Sequence, residues 1–228
     1  SELTVQALIR FNDGREPLPV SAIFQISELE QPEETVESTT DSDDALAAGM
    51  AAYREIVTHA DTYDYTYEEA YLDPGSRNGV YHYALVFAGS DDVPALLLKQ
   101  DGDTGFNIVK VFQYASGWGD VYEAGILAEG VDNLGFHRSL YIPTDKPSII
   151  YNESYGDNKG GETRRYTITG AGSSESNLHL GLQYGLLWSS INSGSNVDTS
   201  LEETGRVEIE WYDITDMTGL DNGRPRGE

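Results

Sequence analysis

The sequence predicts a mainly β fold, with antiparallel meander sheets arranged as propeller blades or as a sandwich, and one principal helix. Residues 81–114 form three strand-like segments of alternating or apolar character, with turn residues between them. The chain also has 24 Gly, 15 Tyr and 8 Pro, a composition that favours strands and turns over helices. One stretch, residues 43–59, repeats its apolar side chains at helical spacing.

Two regions are predicted along the chain. Residues 1–40 form a β-hairpin and an acidic linker, and residues 41–228 form a domain with the helix and the remaining strands. Within the first region, the strand-like segments 3–11 and 20–26 are separated by the turn sequence Asn12-Asp13-Gly14. Residues 27–44 are rich in acidic and poor in apolar side chains, so we interpret them as a solvated linker.

The predicted helix spans residues 43–59, with Asp41 or Ser42 as the N-terminal cap. Its apolar side chains lie at positions i, i+4, i+7 and i+11, and are Leu46, Met50, Tyr53 and Val57. A stripe with this spacing lies on one side of a helix, and we expect it to pack against the sheet.

The remaining strands form two consecutive sets of four. The predicted strands are 81–87, 95–99, 106–114 and 121–127, then 139–142, 148–151, 163–169 and 178–188. Such sets have the spacing of propeller blades, but two blades cannot close a ring, so we expect a single twisted sheet or two packed sheets. Residues 206–214 alternate as a last strand, and residues 216–228 are predicted to be a frayed tail.

Charge and composition exclude several classes of function. The formal net charge is −25, from 39 acidic and 14 basic residues, and such a chain repels nucleic acid and anionic lipid. It contains no Cys, which excludes a catalytic thiol, a thiolate metal site and disulfides. Its apolar runs, such as residues 94–98, are too short to insert into a membrane.

Aromatic side chains supply the candidate binding residues. Tyr63, Tyr65 and Tyr67 share one side if their segment is a strand, where they form either a carbohydrate or peptide platform or a packing surface. Trp118 lies in the sequence Ser-Gly-Trp-Gly, which is typical of a loop tip, and Tyr122 follows closely. Exposed Trp and Tyr are enriched at binding hot spots, so this pair is the strongest candidate contact.

Residues 83–98, YALVFAGSDDVPALLL, resemble the consensus YALVDIDGDGVPELLL. That consensus is typical of an uncharacterised family of secreted proteins and lipoproteins of Gram-positive bacteria, and it is related to the calcium loops of FG-GAP repeats. The resemblance implies a β fold and an extracellular or cell-surface location. At the aligned ligand positions, however, this chain has Phe87, Gly89, Asp91 and Ala95. Calcium requires six to eight oxygen ligands, so we expect this loop not to bind it.

Catalytic motifs are weak in this sequence. Its four histidines, His59, His82, His137 and His179, lack the spacing of a zinc site, and there is no Gly-x-Ser-x-Gly elbow or phosphate-binding loop. Paired carboxylates could serve a glycosidase with aromatic subsites, although 39 acidic residues make chance pairs common.

These observations predict a non-catalytic extracellular or cell-surface module that binds a protein or a glycan, or that has a structural role. No catalytic residue, cofactor or metal ligand is assigned. The alternative is a secreted carbohydrate-active enzyme that uses two carboxylates. A calcium binder that uses Asp101 and Asp103 in a second acidic turn is a third possibility, and a plain hairpin loop is the preferred interpretation of that turn.

Overall fold

The fold is described from a computed structural model. It covers residues 2–9, 18–25, 39–67, 77–89, 92–132, 135–155, 160–169, 181–189 and 205–224. The chain separates into two compact units, Ser1–Thr39 and Thr40–Glu228. The boundary predicted from sequence lies one residue later.

The first unit contains one antiparallel pair of strands. Strand β1, Glu2–Ile9, pairs with β2, Leu18–Gln25, over eight positions, which agrees with the predicted strand segments. The predicted turn at residues 12–14 and most of the predicted linker lie outside the described residues.

The principal helix, α1, spans Thr39–Thr58 and begins four residues before the predicted start. A 3₁₀ turn, Ala60–Thr62, follows it. The predicted stripe is confirmed: Met50, Tyr53 and Val57 are buried, and Leu46 packs half-buried against the same core. The Tyr53 hydroxyl donates to the Pro94 carbonyl oxygen at 3.0 Å and accepts from the backbone N–H of Tyr114 at 2.8 Å. These two bonds join the helix to the sheet.

The other described strands belong to one antiparallel sheet, so the prediction of a mainly β fold with one principal helix is confirmed. They are β3 (Arg77–Val86), β4 (Ala95–Gly102), β5 (Phe106–Ala115), β6 (Asp120–Val131), β7 (Phe136–Pro143), β8 (Ile149–Tyr155), β9 (Gly161–Thr169), β10 (Gly181–Ser189), β11 (Arg206–Glu208) and β12 (Tyr212–Asp213). The order across the sheet is β10-β9-β8-β7-β6-β5-β4-β3-β12, and β11 pairs with the end of β7.

This sheet has a core on each face of strands β3–β6. The helix-side core includes Met50, Tyr53, Val57, Tyr83, Leu85, Leu96, Leu98, Ile108 and Phe112. The inner core lies between the two halves of the sheet and includes Val86, Leu97, Val109, Val111, Leu140, Ile149 and Ile168. Strands β4 and β5 are therefore buried on both faces, which explains their nearly continuous apolar sequences.

The two halves of the sheet diverge between β6 and β7. Strand β6 pairs with β5 over ten positions but with β7 only through Gly130↔Arg138 and Val131↔His137. The backbone N–H of Ile168 in β9 donates to the carbonyl oxygen of Ala88, after β3, at 2.7 Å. The second half of the sheet thus folds back over the first, as in a sandwich made from one continuous sheet.

A buried ion cluster stabilises the connection from β6 to β7 and β8. Arg138 donates to Asp132 at 2.8 Å and to Glu153 at 3.0 Å, and Asp132 also accepts the backbone N–H of Phe136. Burial by itself lowers the pKa of Arg138, but the hydrogen bond to Asp132 and the neighbouring negative charges outweigh it, so the pKa of this guanidinium lies above its ordinary value.

Two predictions about the C-terminal region are wrong. Residues 206–214 do not form one strand, because β11 pairs with β7 whereas β12 pairs with β3. Residues 218–222 are not frayed, because they form a short helix, α2 (Thr218–Asn222), in which Leu220 is buried in the helix-side core. The hydroxyl of Tyr83 donates to the carbonyl oxygen of Asp216 at 2.6 Å and anchors this segment.

Candidate functional site

The candidate site is a cleft of about 600 Å³ beside β6, on the side where β6 and β7 diverge. It is lined by Asp64, Thr66, Tyr67, Lys110, Glu123, Ile126, Leu127, Tyr151, Arg164 and Tyr166. These residues come from the segment after the 3₁₀ turn, from β5 and β6, and from β8 and β9. A pocket of this size with convergent polar groups is the usual location of a binding site.

The first wall of the cleft is the segment 64–67. It is not a strand, because Asp64 accepts hydrogen bonds from the backbone N–H of Thr66 at 2.9 Å and from its hydroxyl at 2.6 Å. This side chain–backbone pattern is an Asx turn, and it competes with the extended conformation that the alternating sequence favours.

The three tyrosines near this wall have separate packing partners. The ring of Tyr63 lies 5.3 Å from that of Phe112, and the Tyr67 ring lies 6.4 Å from that of Phe106. Tyr65 is 2% exposed and donates to the carbonyl oxygen of Ala60 at 3.0 Å. The row of three tyrosines on one side of a strand is therefore absent from this segment, and Tyr67 alone among the three lines the cleft.

The floor of the cleft contains a lysine–carboxylate pair. The ammonium group of Lys110 in β5 donates to both carboxylate oxygens of Glu123 in β6, at 2.7 and 2.8 Å. Lys110 lies between apolar neighbours of the helix-side core and its side chain is only 7% exposed, whereas that of Glu123 is 42% exposed. A bulge in β6 opposite Val111 and Phe112 shifts the register between these strands. The pair presents a fixed acceptor group to the cleft.

The opposite wall comes from β8 and β9. Arg164 donates from Nε to Glu162 at 3.0 Å, and the rings of Tyr151 and Tyr166 are perpendicular, with centroids 6.0 Å apart. Burial by itself lowers the pKa of Arg164, but hydrogen bonds with Glu162 and Tyr166 outweigh it, so its pKa is well above the ordinary value. Arg164 is therefore a permanent cation within a hydrogen-bonded aromatic surface.

These groups give the cleft a defined chemistry. Each cation, Lys110 and Arg164, is paired with a carboxylate, so the cleft combines strong donors and acceptors without a large local excess of charge. Tyrosine rings from both walls supply apolar surface next to these groups. A ligand with many hydroxyl groups and apolar C–H faces matches this combination, because hydroxyls both donate and accept.

A second candidate surface is the turn between β5 and β6. Trp118 is 55% exposed there, and its ring lies 6.2 Å from that of Tyr122 at an angle of 59°. The backbone N–H groups of Trp118 and Gly119 both donate to the carbonyl oxygen of Ala115 at 2.9 Å, which closes the turn. The predicted position of Trp118 at an exposed loop tip is confirmed, and its role in binding stays a prediction.

The predicted second acidic turn begins later than expected. Strand β4 extends to Gly102, so Asp101 lies in the strand and only Asp103 lies in the turn. The Nε2 atom of His82 is 3.1 Å from the carboxylate of Asp101.

In the degenerate calcium-like loop, Phe87 is half-buried, Ala95 is fully buried and Asp91 lies outside the described residues. Within the described ranges, no group of three acidic or histidine side chains could hold a metal ion.

Sequence patterns did not predict most of the cleft. Lys110 offered a local signal, because it is a lone cation within the apolar run Ile-Val-Lys-Val-Phe of β5. Arg164 and Arg165 are neighbours in a strand and therefore point to opposite faces. The two have different partners: Arg164 binds Glu162, whereas Arg165 binds Asp145 at 2.8 and 2.9 Å. Glu123, Tyr151 and Tyr166 have no distinguishing sequence context.

Comparisons with known proteins give no assignment of function, so the function has to be argued from the fold and the cleft. No family model, curated protein or solved structure matches the chain. None of the helices in the described part has the length and apolar character needed to cross a membrane.

Proposed function

We propose that this chain is a non-catalytic extracellular or cell-surface module that binds a glycan in the cleft. The observation that carries the proposal is the joint presence of tyrosine rings, the Lys110–Glu123 pair and the Arg164–Glu162 pair around one open cleft. Tyrosine rings can stack on the C–H faces of a sugar, and paired charges can orient its hydroxyls with charge-assisted hydrogen bonds.

Charge supports a neutral sugar over an acidic one. The chain carries a formal charge of −25, and both cations of the cleft are already compensated by carboxylates. An anionic polymer would be repelled at long range without gaining an uncompensated cation at short range. A neutral glycan is not repelled by the negative charge of the chain.

The location is proposed from the sequence resemblance to secreted proteins and lipoproteins of Gram-positive bacteria. An acidic surface and the absence of Cys agree with it, because bacterial surface proteins can fold without disulfides. We expect brief protease treatment of intact source cells to remove the protein. Complete protection on intact cells, with digestion after lysis, would contradict a surface location.

A glycan array with the purified chain, followed by calorimetric titration of the sugars that bind, tests the binding function. Tyr166→Ala removes one ring of the cleft and should weaken binding at least several-fold. Tyr141→Ala is the matched control, since this tyrosine is also half-buried in the second half of the sheet but contacts Arg206 outside the cleft. Equal affinity of the two variants and the wild type would show that the cleft is not the site.

A secreted carbohydrate-active enzyme remains the second candidate, because Asp64 and Glu123 both line the cleft beside aromatic rings. It ranks lower because both carboxylates are already engaged by Thr66 and Lys110. Release of reducing ends from array-positive glycans, lost in both Asp64→Asn and Glu123→Gln, would establish the enzyme and overturn the non-catalytic function.

A further inference from the structure

We infer that the Lys110–Glu123 pair binds a vicinal diol, that is, two free hydroxyls on adjacent carbons of one sugar ring. This inference rests on the proposed function of the cleft and adds the class of sugar that the cleft takes. The class comprises chains of 1,4-linked glucose, xylose or mannose, because each internal unit of these chains keeps its hydroxyls at C2 and C3.

A β-bulge places this pair in the cleft. In a regular strand, Glu123 and Ile126 would point to opposite faces, because they are three residues apart. The register shift sets Glu123 opposite Phe112 and Ile126 opposite Lys110. Glu123, Ile126 and Lys110 therefore share one face of the sheet, and all three line the cleft. Bulges are enriched beside active sites, where they redirect a side chain in this way.

Strand β10 packs tightly against the bulge. A Cβ at Gly125 would lie 2.8 Å from Leu182 Cδ1, and a Cβ at Gly181 would lie 2.6 Å from the carbonyl oxygen of Ala124. The backbone that carries Glu123 is thus fixed by close packing. A carboxylate held in this way loses little conformational entropy when a ligand binds.

The ion pair retains a donor and acceptors for a ligand. An ammonium group has three N–H donors, and a carboxylate has about four lone-pair positions. Within the described residues, Lys110 Nζ donates only to the two oxygens of Glu123, and the Tyr65 ring, 5.9 Å away, is at the limit of a cation–π contact. One N–H of this buried group therefore needs an oxygen from the cleft. Glu123 is exposed, so its remaining lone pairs are accessible.

A vicinal diol matches this donor and acceptor. The nitrogen of Lys110 is 2.7 and 2.8 Å from the carboxylate oxygens of Glu123. Two gauche hydroxyl oxygens on a sugar ring are about 3 Å apart, which is close to the length of a hydrogen bond. One hydroxyl can accept from Lys110 while its neighbour donates to Glu123, and both bonds are charge-assisted. The side chain of Ile126, directly across from Lys110, can contact the C–H face of the same ring.

Other sugar patterns fit this pair less well. A hydroxyl without a free neighbour forms one of the two bonds and leaves the other group of the pair unused. An acetamido group on the adjacent carbon does not replace the second hydroxyl, because the N–H and C=O of a trans amide point in opposite directions. The pair should therefore discriminate between glycans by their linkage and substitution.

The test uses six neutral tetrasaccharides with capped ends. Each probe is a methyl glycoside and has a methyl ether at the linkage position of its non-reducing end, so every unit has the free hydroxyls of an internal unit. The β-1,4-glucose, β-1,4-xylose, β-1,4-mannose and α-1,4-glucose probes have a vicinal diol in each unit, whereas the β-1,3-glucose and β-1,4-N-acetylglucosamine probes have none. In calorimetric titrations, we expect at least one diol-bearing probe to bind about ten-fold more tightly than both diol-free probes, since it gains one charge-assisted hydrogen bond.

Variants assign this ratio of affinities to the pair. Lys110→Met removes the donor, keeps an unbranched side chain, and should lower the ratio to near one. Lys99→Met is the matched control, because the Lys99 side chain is only 11% exposed and pairs with Glu129, but it does not line the cleft. It should leave the ratio unchanged. Glu123→Gln, at an exposed position, should lower the ratio as well and provides the test if Lys110→Met does not fold.

The outcomes separate the inference from the proposed function. A diol-free probe that binds as tightly as the best diol-bearing probe, with binding weakened by Tyr166→Ala, overturns the diol inference and leaves the cleft as a glycan site. A ratio that persists in Lys110→Met or, if that variant does not fold, in Glu123→Gln also overturns the inference. Failure of all six probes to bind overturns it too, and a negative glycan array would overturn the proposed function at the same time.

Discussion

The buried ion cluster of Arg138 gives the most demanding test of this fold. Replacing Arg138 with Met keeps a long, flexible side chain but removes the charge that Asp132 and Glu153 share. The side chains of Arg138, Asp132 and Glu153 are only 3, 1 and 9% exposed, so water cannot readily replace the lost guanidinium. Two carboxylates of like charge would remain buried together.

The expected loss follows from this burial. Removing one partner of a buried ion pair typically costs about 3–5 kcal/mol, because the remaining charge is desolvated without compensation. The rings of Phe106 and Phe136, each about 5.5 Å from the guanidinium, add a cation–π contribution that Met does not reproduce. We therefore expect Arg138→Met to lower the free energy of unfolding by at least about 3 kcal/mol.

The measurement is urea unfolding at neutral pH, followed by circular dichroism and analysed by linear extrapolation. Arg54→Met is the matched control: this arginine also pairs with a carboxylate, Asp221, but the two side chains are 42 and 60% exposed, and its loss should be below about 1 kcal/mol. A compensated variant that combines Arg138→Met with Asp132→Asn and Glu153→Gln should recover much of the stability. Equal, small losses in Arg138→Met and Arg54→Met would refute the reasoning.

Three further predictions concern the packing of α1 and the C-terminal segment. Tyr53→Phe keeps the ring but leaves the buried N–H of Tyr114 without its acceptor, and should lower the free energy of unfolding by about 1–3 kcal/mol in urea. Gly49→Ala should also destabilise the protein, although Ala favours helices by about 1 kcal/mol, because the new methyl would lie 2.7 Å from Val93 Cγ1; a higher melting temperature would contradict this packing. Burial raises the pKa of Tyr83 from 10.0 to about 12. The contribution of the neutral Tyr83 hydroxyl to the free energy of unfolding is therefore complete below pH 10 and is lost as the pH rises towards 12. The stability difference between wild type and Tyr83→Phe, measured by urea unfolding at several pH values, should shrink across that interval, and a difference that stays constant would exclude this linkage.

Local periodicity was sufficient to predict the elements whose apolar pattern is continuous. The stripe of α1 was identified because residues such as Met50 and Tyr53 recur at helical spacing and are buried in the structure. Strands β4 and β5 were identified because they are buried on both faces and contain long apolar runs. In these segments, the tertiary structure reinforces what each short window of sequence already favours.

Elements stabilised by distant contacts were not predictable in this way. Helix α2 has five residues, too few for a helical period, and it is held by Leu220 in the helix-side core and by the hydrogen bond from Tyr83. The break between β11 and β12 lies within the alternating sequence of residues 206–214, because the two strands pair with β7 and β3 respectively. Alternation indicates which side chains share a face, but it does not indicate which strand will be the neighbour.

The cleft was not predictable because its chemistry exists only after the sheet has folded back. Its walls come from segments about 100 residues apart in sequence, and the polar groups that meet there are ordinary strand residues when considered singly. The divergence of β6 and β7 depends on Gly130, which has φ of +103° and would place a Cβ within 1.8 Å of the Gly105 carbonyl oxygen. It depends also on Arg138, which joins Asp132 in the connection to Glu153 in β8.

Stability and proposed function are therefore coupled through the same connection between β6 and β7. A sheet that continued with full pairing from β6 to β7 would satisfy more backbone hydrogen bonds along this edge, but it would leave no cleft between β6 and β9. The buried charges of Arg138 and its partners compensate for this interruption by fixing the turn, the first residues of β7 and the last residues of β8, which pair with them. The structure thus leaves β6 without β7 pairing over Tyr122–Leu127, the part of the strand from which Glu123, Ile126 and Leu127 line the cleft. Binding of a glycan in this cleft requires the interruption, whereas a purely structural spacer does not.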